Sequence, residues 1–98
     1  MKDNILVELS IEFAVNIVNW CDSIKGETVL TNQLLRSGTS IGANIHEGNY
    51  ASSRADFVSK FQIALKECYE TEYWLEIFRR TNIMSEDTYS KFKNDSGK

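Results

Sequence analysis

The chain has 98 residues, of which 42% are hydrophobic and 11% aromatic, and it contains no proline. A chain of this length forms one small domain with an adequate core, and the lack of proline favours an all-helical protein. The formal net charge is −3, and the acidic excess lies within residues 1–27. No segment is basic, so charge argues against tight RNA or DNA binding by a single subunit.

Hydropathy and cysteine spacing indicate a cytoplasmic protein. No apolar run approaches the roughly 20 residues that span a bilayer, and an amphipathic segment follows the N-terminal residues Met-Lys-Asp-Asn. We therefore expect no membrane association. Cys21 and Cys68 are isolated from each other and from any histidine cluster, which predicts reduced, mostly buried thiols and neither a disulfide framework nor a zinc site.

The first predicted helix spans residues 3–25. Its large apolar residues recur at steps of three or four and form one stripe: Leu6, Leu9, Phe13, Ile17, Trp20 and Ile24. Gly26 supplies a left-handed stop, and Thr28 is a candidate cap for the next helix.

The second predicted helix spans residues 28–46 and is built largely from small residues. Gly38 and Gly42 lie inside it, although each glycine costs about 1 kcal/mol relative to alanine in a helix. We therefore predict that both glycines mark close packing against a neighbouring helix. We expect an aromatic side chain of the first or third helix to fill the space: Phe13, Trp20, Phe57 or Phe61.

Two further helices are predicted, at 54–80 and 85–93. Ser53 followed by Asp56 resembles a capping box, and Ser85 with the acids after it marks another helix start. The fourth helix is anomalously short, since a helix that covers three long neighbours should match their length. Either it is truncated in this chain or an oligomeric neighbour completes the groove. The short connections predict one domain, residues 1–98, folded as an antiparallel up-and-down four-helix bundle.

The sequence offers little evidence for catalytic or metal-binding residues. His46 is the only histidine and is followed by Glu47, but adjacent helical residues point about 100° apart and cannot chelate together. The segment from Gly38 to Gly42 matches the Gly-x-Ser-x-Gly spelling of serine hydrolases, yet that motif needs a preceding strand. We therefore predict no catalytic residue, no metal site, no cofactor and no enzyme activity.

Four polar residues lie on or near the apolar stripes, namely Arg36, Asn44, Glu47 and Glu70. Buried charges are costly unless paired, so we expect them to satisfy one another and to fix the turn at Gly48; a ligand or partner contact is the alternative. Four further aromatic residues are more than one small core can bury: Tyr50, Tyr69, Tyr73 and Trp74. They predict an exposed apolar patch of the kind that marks protein interfaces.

The run from Gln33 to Gly48, with its Ser-Ile-x-x-Asn-Ile-x-Glu-Gly core, resembles the bacterial four-helix-bundle proteins named for the intervening sequences of 23S ribosomal RNA. Asp56-Phe57, Phe61-x-x-Ala64-Leu65 and Glu70-x-x-x-x-Leu75 continue the resemblance. It implies assembly into pentamers and kinship with accessory variability determinants of diversity-generating retroelements, which bind nucleic acid and a reverse transcriptase. The matching motif positions are Arg36, Ser40, Asn44, Glu47, Gly48 and Glu70, and the resemblance implies no catalytic role for them.

The combined expectation is a self-associating, non-enzymatic binding or scaffold protein, with a protein partner still to be found. The alternative is RNA, DNA or ribonucleoprotein binding through a composite surface of the oligomer. In that case Arg79, Arg80, Lys91 and Lys93 are the candidate nucleic-acid contacts, because assembly would gather them into a local basic patch.

Overall fold

A computed structural model describes the backbone of residues 2–96 and the side chains of residues 5–95. This part of the chain contains four helices and no strand: α1 (Lys2–Ser23), α2 (Thr28–Gly48), α3 (Arg54–Arg80) and α4 (Glu86–Ser96). The predicted all-α, four-helix fold with a short last helix is confirmed. Each predicted boundary lies within three residues of the observed one. Residues 1, 97 and 98 of the predicted domain lie outside the described part.

Local signals account for most of the helix ends. Gly26, between α1 and α2, has φ +90°, and Asn82, after α3, has φ +64°, so both turns use the left-handed conformation. The Ser53 Oγ accepts a hydrogen bond from the Asp56 backbone N–H at 3.1 Å. The Ser85 Oγ accepts one from the Thr88 N–H at 3.1 Å. Both predicted serine caps are thus present.

The start of α2 differs from the prediction. The capping position is Glu27, without a side-chain hydrogen bond to the helix, and Thr28 is already the first helical residue. The Thr31 hydroxyl donates to the Glu27 carbonyl at 2.7 Å, which leaves the free N–H groups at the start of α2 without a side-chain cap. The prediction that Thr28 caps α2 was therefore wrong.

The central element is α2, which packs against α1 on one side and α3 on the other, while α4 packs on α3 and along a short stretch of α1. Within the described residues, the backbones of α1 and α3 do not approach each other closely, although the side chains of Trp20 and Phe78 bring the two helices into contact. The short turns make consecutive helices antiparallel, and the bundle measures 43 × 22 × 19 Å.

The core is densest at the end of the bundle where α4 begins. Leu34, Leu75 and Phe78 are completely buried there and Met84, from the α3–α4 connection, is nearly so. The Trp20 ring meets Phe78 edge to face, with ring centroids 5.0 Å apart, a favourable arrangement for aromatic pairs. Four separate segments therefore meet at this end.

The glycines of α2 do allow close packing, but against smaller residues than expected. A Cβ placed on Gly38 would lie 3.3 Å from a methyl carbon of Ile17, and one on Gly42 would lie 2.8 Å from the Ser10 Oγ. Both neighbours belong to α1. The prediction that an aromatic ring fills this space was wrong; an aromatic ring, that of Phe61, lies instead against Gly48.

The short α4 leaves part of the bundle uncovered. It has 11 residues against the 22 of α1, and its Phe92 meets Phe13 near the middle of α1. N-terminal to that contact, Leu6 and Leu9 of the predicted apolar stripe of α1 are 37% and 48% exposed. The apolar stripe of α1 was thus predicted correctly, but only its C-terminal half lies in the core.

The close contact between α1 and α2 gives a first testable prediction. In Gly42→Leu the new side chain must displace Ser10. Overpacking of this kind lowers the free energy of unfolding by about 1–3 kcal/mol. We expect the thermal midpoint to fall by about 4–8 °C for each kcal/mol, as measured by circular dichroism. Ala43→Leu adds the same side chain at the adjacent exposed position and is the control. Equal melting of the two variants would contradict this packing.

Candidate functional site

The motif residues of α2 mostly connect it to α3. Arg36 forms an ion pair with Glu70 and a second one with Glu67, whose N–O distance is 3.4 Å. The Glu70 carboxylate also accepts a hydrogen bond from the Trp74 indole N–H at 3.1 Å. Trp74 is half-buried, so this cluster anchors a large aromatic side chain beside the α2–α3 contact. Of the four polar residues expected to satisfy one another, only Arg36 and Glu70 do so; Asn44 and Glu47 have other partners.

The other motif residues of α2 bond either within α2 or to α3. The Ser40 hydroxyl donates to the Arg36 carbonyl at 2.6 Å, and the Asn44 amide donates to the Ser40 carbonyl at 2.8 Å. Glu47 pairs with Lys60 of α3 at 3.1 Å. Gly48 is buried, and a Cβ on it would lie 3.1 Å from the Phe61 ring. Except for Asn44 and Ser40, which bond along α2, these residues hold the end of α2 against α3.

A buried polar contact between α2 and α3 was not predicted from the sequence. The Thr71 hydroxyl donates to the Ser37 Oγ at 3.0 Å, and both residues are completely buried. In the sequence, Thr71 interrupts an apolar stripe and suggests a break in the core face. The available signal was its helical register with Leu75 and Phe78, which places it among core residues.

The single histidine lies on the surface. His46 is exposed and its ring contacts that of Tyr50, with centroids 5.3 Å apart. Among the residues that the structure describes, no group of three His, Cys, Asp or Glu residues is arranged to hold a metal ion. Cys21 and Cys68 are free. Burial raises the pKa of Cys21 to about 11.

The candidate nucleic-acid contacts are partly neutralised by acids. Glu76 forms ion pairs with both Arg79 and Arg80, and Glu86 pairs with Arg79 at 3.0 Å. The Arg79 guanidinium also lies over the Tyr89 ring, 5.1 Å from its centroid. Lys91 and Lys93 are exposed on α4. Arg79 thus serves the α3–α4 contact, whereas Arg80 pairs within α3.

An apolar groove opens beside α4, and we call it the open groove. Its volume is about 490 Å³, within the range of ligand pockets. Ile41 and Ile45 of α2 form its floor, between walls from α1 and α3. Three carboxylate residues also line it, one from each of α1, α3 and α4: Glu12, Glu72 and Asp95.

A second apolar surface, which we call the outer stripe, consists of Ile11, Val15 and Val18 on α1. These residues are 48%, 50% and 44% exposed, and their spacing places them on one helical face. At about 100° per residue the outer stripe lies roughly opposite the side of α1 that lines the open groove. The two surfaces are therefore separate.

Three of the four aromatic residues expected at the surface are there. Tyr50, Tyr69 and Tyr73 are exposed, whereas Trp74 is half-buried. Tyr69 lines the open groove, and Tyr50 lies at the α2–α3 turn. Tyr73 follows Tyr69 by one turn of α3 and its ring contacts that of Trp74, with centroids 5.0 Å apart, so the aromatics of α3 lie close together and Tyr50 lies apart from them.

Among the helices that the structure describes, none combines the length and the apolar character needed to cross a membrane.

The contacts of Glu76 give a prediction about pH. Hydrogen bonds from Arg79, Arg80 and Tyr89 lower the pKa of the Glu76 carboxyl from its ordinary 4.5 to about 2. Stability from these contacts is therefore fully present above about pH 4.5 and is lost as the pH falls towards 2. Wild type should melt at a higher temperature than Glu76→Gln at pH 7, and the difference should shrink between pH 4.5 and 2.

Thermal melts followed by circular dichroism between pH 2 and pH 7 measure this difference. Glu8→Gln removes the same charge from an exposed position of α1 and is the control. A gap between wild type and Glu76→Gln that stays constant down to pH 2 would refute the assigned role of Glu76.

Comparison with known proteins identifies the family. The family model described as 23S rRNA-intervening sequence protein matches residues 2–98. A crystal structure of a protein with unknown function from the S23 ribosomal protein family of Bacteroides thetaiotaomicron VPI-5482 is similar, with a TM-score of 0.94 and 52% sequence identity. The match covers 99% of this chain and 89% of that chain. Among curated proteins, none matches. The chain belongs to the 23S rRNA intervening sequence protein family.

Proposed function

We propose that this protein is a non-enzymatic scaffold that self-associates into a ring, a pentamer, and presents its remaining surfaces to a partner. The outer stripe is the observation on which the proposal rests. Ile11, Val15 and Val18 place three exposed β-branched side chains on one face of a 22-residue helix. Association would remove this apolar surface from water, at about 25 cal/mol for each Å² buried.

Ring geometry sets what the outer stripe must contact. In a cyclic assembly of more than two subunits the interface is heterologous, so the outer stripe of one chain meets a different surface of the next chain. Ile63 on α3 is 39% exposed and, like the outer stripe, does not line the open groove. An α1-to-α3 contact around the ring would cover both.

The polar residues of the motif support a role without catalysis. Arg36 and Glu70 tie α2 to α3, and Glu47 pairs with Lys60. Each of these charges is engaged by another part of the fold rather than gathered with His46 in a cleft. The motif residues therefore have a structural role, because they join α2 to α3. The two free thiols support a reducing compartment, which is the basis for assigning the protein to the cytoplasm.

Sedimentation velocity of the full chain tests self-association. We expect wild type to have about five times the 11.2 kDa mass of one chain. Val15→Lys places a charge in the middle of the outer stripe and should shift the protein to monomers. Gln62→Lys adds the same side chain at an exposed position of α3 and should leave the mass unchanged. A monomeric wild type would refute the proposed assembly.

RNA binding by the assembled ring is the second candidate function. The observation that favours it is the exposure of Arg80, whose side chain is 74% exposed near the α3–α4 turn. A ring would repeat this arginine and the exposed Lys91 around one face. The net charge of −3 and the pairing of Arg80 with Glu76 oppose this candidate, so we rank it below protein binding.

Fluorescence anisotropy of a labelled structured RNA tests the second candidate. We expect no binding at micromolar protein in about 50 mM salt. Binding that weakens steeply between about 50 and 200 mM salt would show phosphate contacts and would move RNA binding to first place. Arg80→Gln, compared with Arg54→Gln at an exposed position at the start of α3, would then show whether the α3–α4 end is responsible.

A further inference from the structure

The outer stripe of α1 lies between two exposed carboxylates. Glu8 precedes Ile11 by three residues and Asp22 follows Val18 by four, so both acids lie on the same helical face as the outer stripe. The two acids are 14 residues apart, which corresponds to about 21 Å along a helix. Residues 5–23 contain no lysine or arginine. This face of α1 is therefore an apolar strip with a negative charge at each end.

The outward side of α3 has the opposite charges at the same spacing. Four residues lie on one face of α3, and we call them the tyrosine face: Lys66, Tyr69, Tyr73 and Arg80. All four are exposed, with 62% for Tyr69 and 60% for Tyr73. Lys66 precedes Tyr69 by three residues and Arg80 by 14. The same intervals separate the first acid of α1 from the outer stripe and from the second acid.

The charges at the ends of the two faces are available to a partner. Within the described part of the chain, Glu8, Asp22 and Lys66 form no ion pair. The Arg80 Nε–H donates to Glu76, and a guanidinium has four further N–H groups. Glu76 is at the same time paired with a second arginine, so its charge is compensated inside the chain. Two acids and two bases can therefore pair with another molecule.

A contact inside the chain shows how the two faces are aligned. The Trp20 ring of α1 meets the Phe78 ring of α3, which places these residues at about the same height in the bundle. Because α1 and α3 are both antiparallel to α2, they run in the same direction with an equal rise per residue. Glu8 and Lys66 each precede this contact by 12 residues, and the second acid and the second base each follow it by two. Each acid therefore lies level with one base.

A ring of identical chains can use this alignment. Rotation about an axis along the bundle keeps equivalent residues of every chain at one height, and a heterologous contact joins two different faces. The outer stripe of one chain then runs parallel to the tyrosine face of the next chain, with Val15 level with Tyr73. By contrast, two outer stripes packed on each other would bring carboxylates together, which is repulsive whichever way the helices run.

We infer that the outer stripe docks on the tyrosine face of a second copy of this chain, with Glu8 paired to Lys66 and Asp22 paired to Arg80. The inference rests on the proposed function, which supplies the self-association, and it adds the receiving surface and the register. Burial of the aliphatic and tyrosine side chains stabilises the contact, while the end charges select the partner and the alignment. Chains too dilute to assemble leave Glu8 in water, and under that condition Glu8→Gln remains the control for Glu76→Gln.

Sedimentation velocity of the full chain tests the charge pairs, in about 50 mM salt because exposed charges are screened at higher ionic strength. Lys66→Glu brings two carboxylates together and should raise the concentration needed for assembly at least tenfold. Lys91→Glu changes the net charge equally at an exposed position of α4 and should have no such effect. Adding Glu8→Lys to Lys66→Glu exchanges the two charges and should restore assembly. Equal effects of the two lysine variants, or no restoration, would overturn the inference.

Tyr73→Ser tests the apolar part of the contact. It removes the ring that lies level with Val15 and should shift the protein to monomers. Tyr50→Ser removes a ring that is 79% exposed at the α2–α3 turn and should leave the oligomeric mass unchanged. Circular dichroism of each variant confirms that the helices remain. Identical sedimentation of the two tyrosine variants would also contradict the proposed contact.

The same measurements separate this contact from self-association itself. If wild type assembles and Val15→Lys dissociates it, while Lys66→Glu and Tyr73→Ser do not, self-association holds and the outer stripe meets another surface of the second copy. The inference then fails alone. If wild type is a monomer, the inference and the proposed assembly both fail.

Discussion

The close approach of α2 to both of its neighbours is the constraint on which the rest of the structure depends. Towards α1, Gly38 and Gly42 leave room for Ile17 and Ser10. Towards α3, Ser37 meets Thr71 through a buried hydrogen bond. Small residues on both sides let the larger side chains Leu34 and Leu75 fill the centre, where both are completely buried. The glycines that weaken α2 as an isolated helix thereby make it the centre of the bundle.

This central position also explains why the molecule has both a closed end and an open one. Since the backbones of α1 and α3 pack on α2 and lie farther from each other, most of the space between them must be filled by α4. The α4 helix reaches Phe13 with Phe92, and it is held on α3 by the hydrogen bond from Tyr89 to Glu76 and the ion pair between Arg79 and Glu86. Beyond that point the same apolar walls continue without cover. The core and the open groove are therefore two parts of one interior.

Sequence patterns predicted the elements better than their contacts. Helix boundaries followed from local chemistry at Gly26, Ser53 and Ser85, because turns and caps depend on nearby residues. The residue opposite each glycine of α2 depends on the register between helices, which periodicity does not specify, so Ser10 and Ile17 were not foreseen. The three carboxylates that line the open groove were missed for the same reason. They come from three helices and meet only after folding.

The limited attachment of α1 has a dynamic consequence. N-terminal to the Phe13–Phe92 contact, α1 is held mainly through its packing on α2, and much of its apolar surface faces water. Opening this segment exposes little additional core, so its local unfolding free energy lies below that of the whole domain. Its backbone amides should thus exchange with solvent sooner than those of α2. Any chain that covers α1 would slow this exchange, which links binding to the ordering of the first helix.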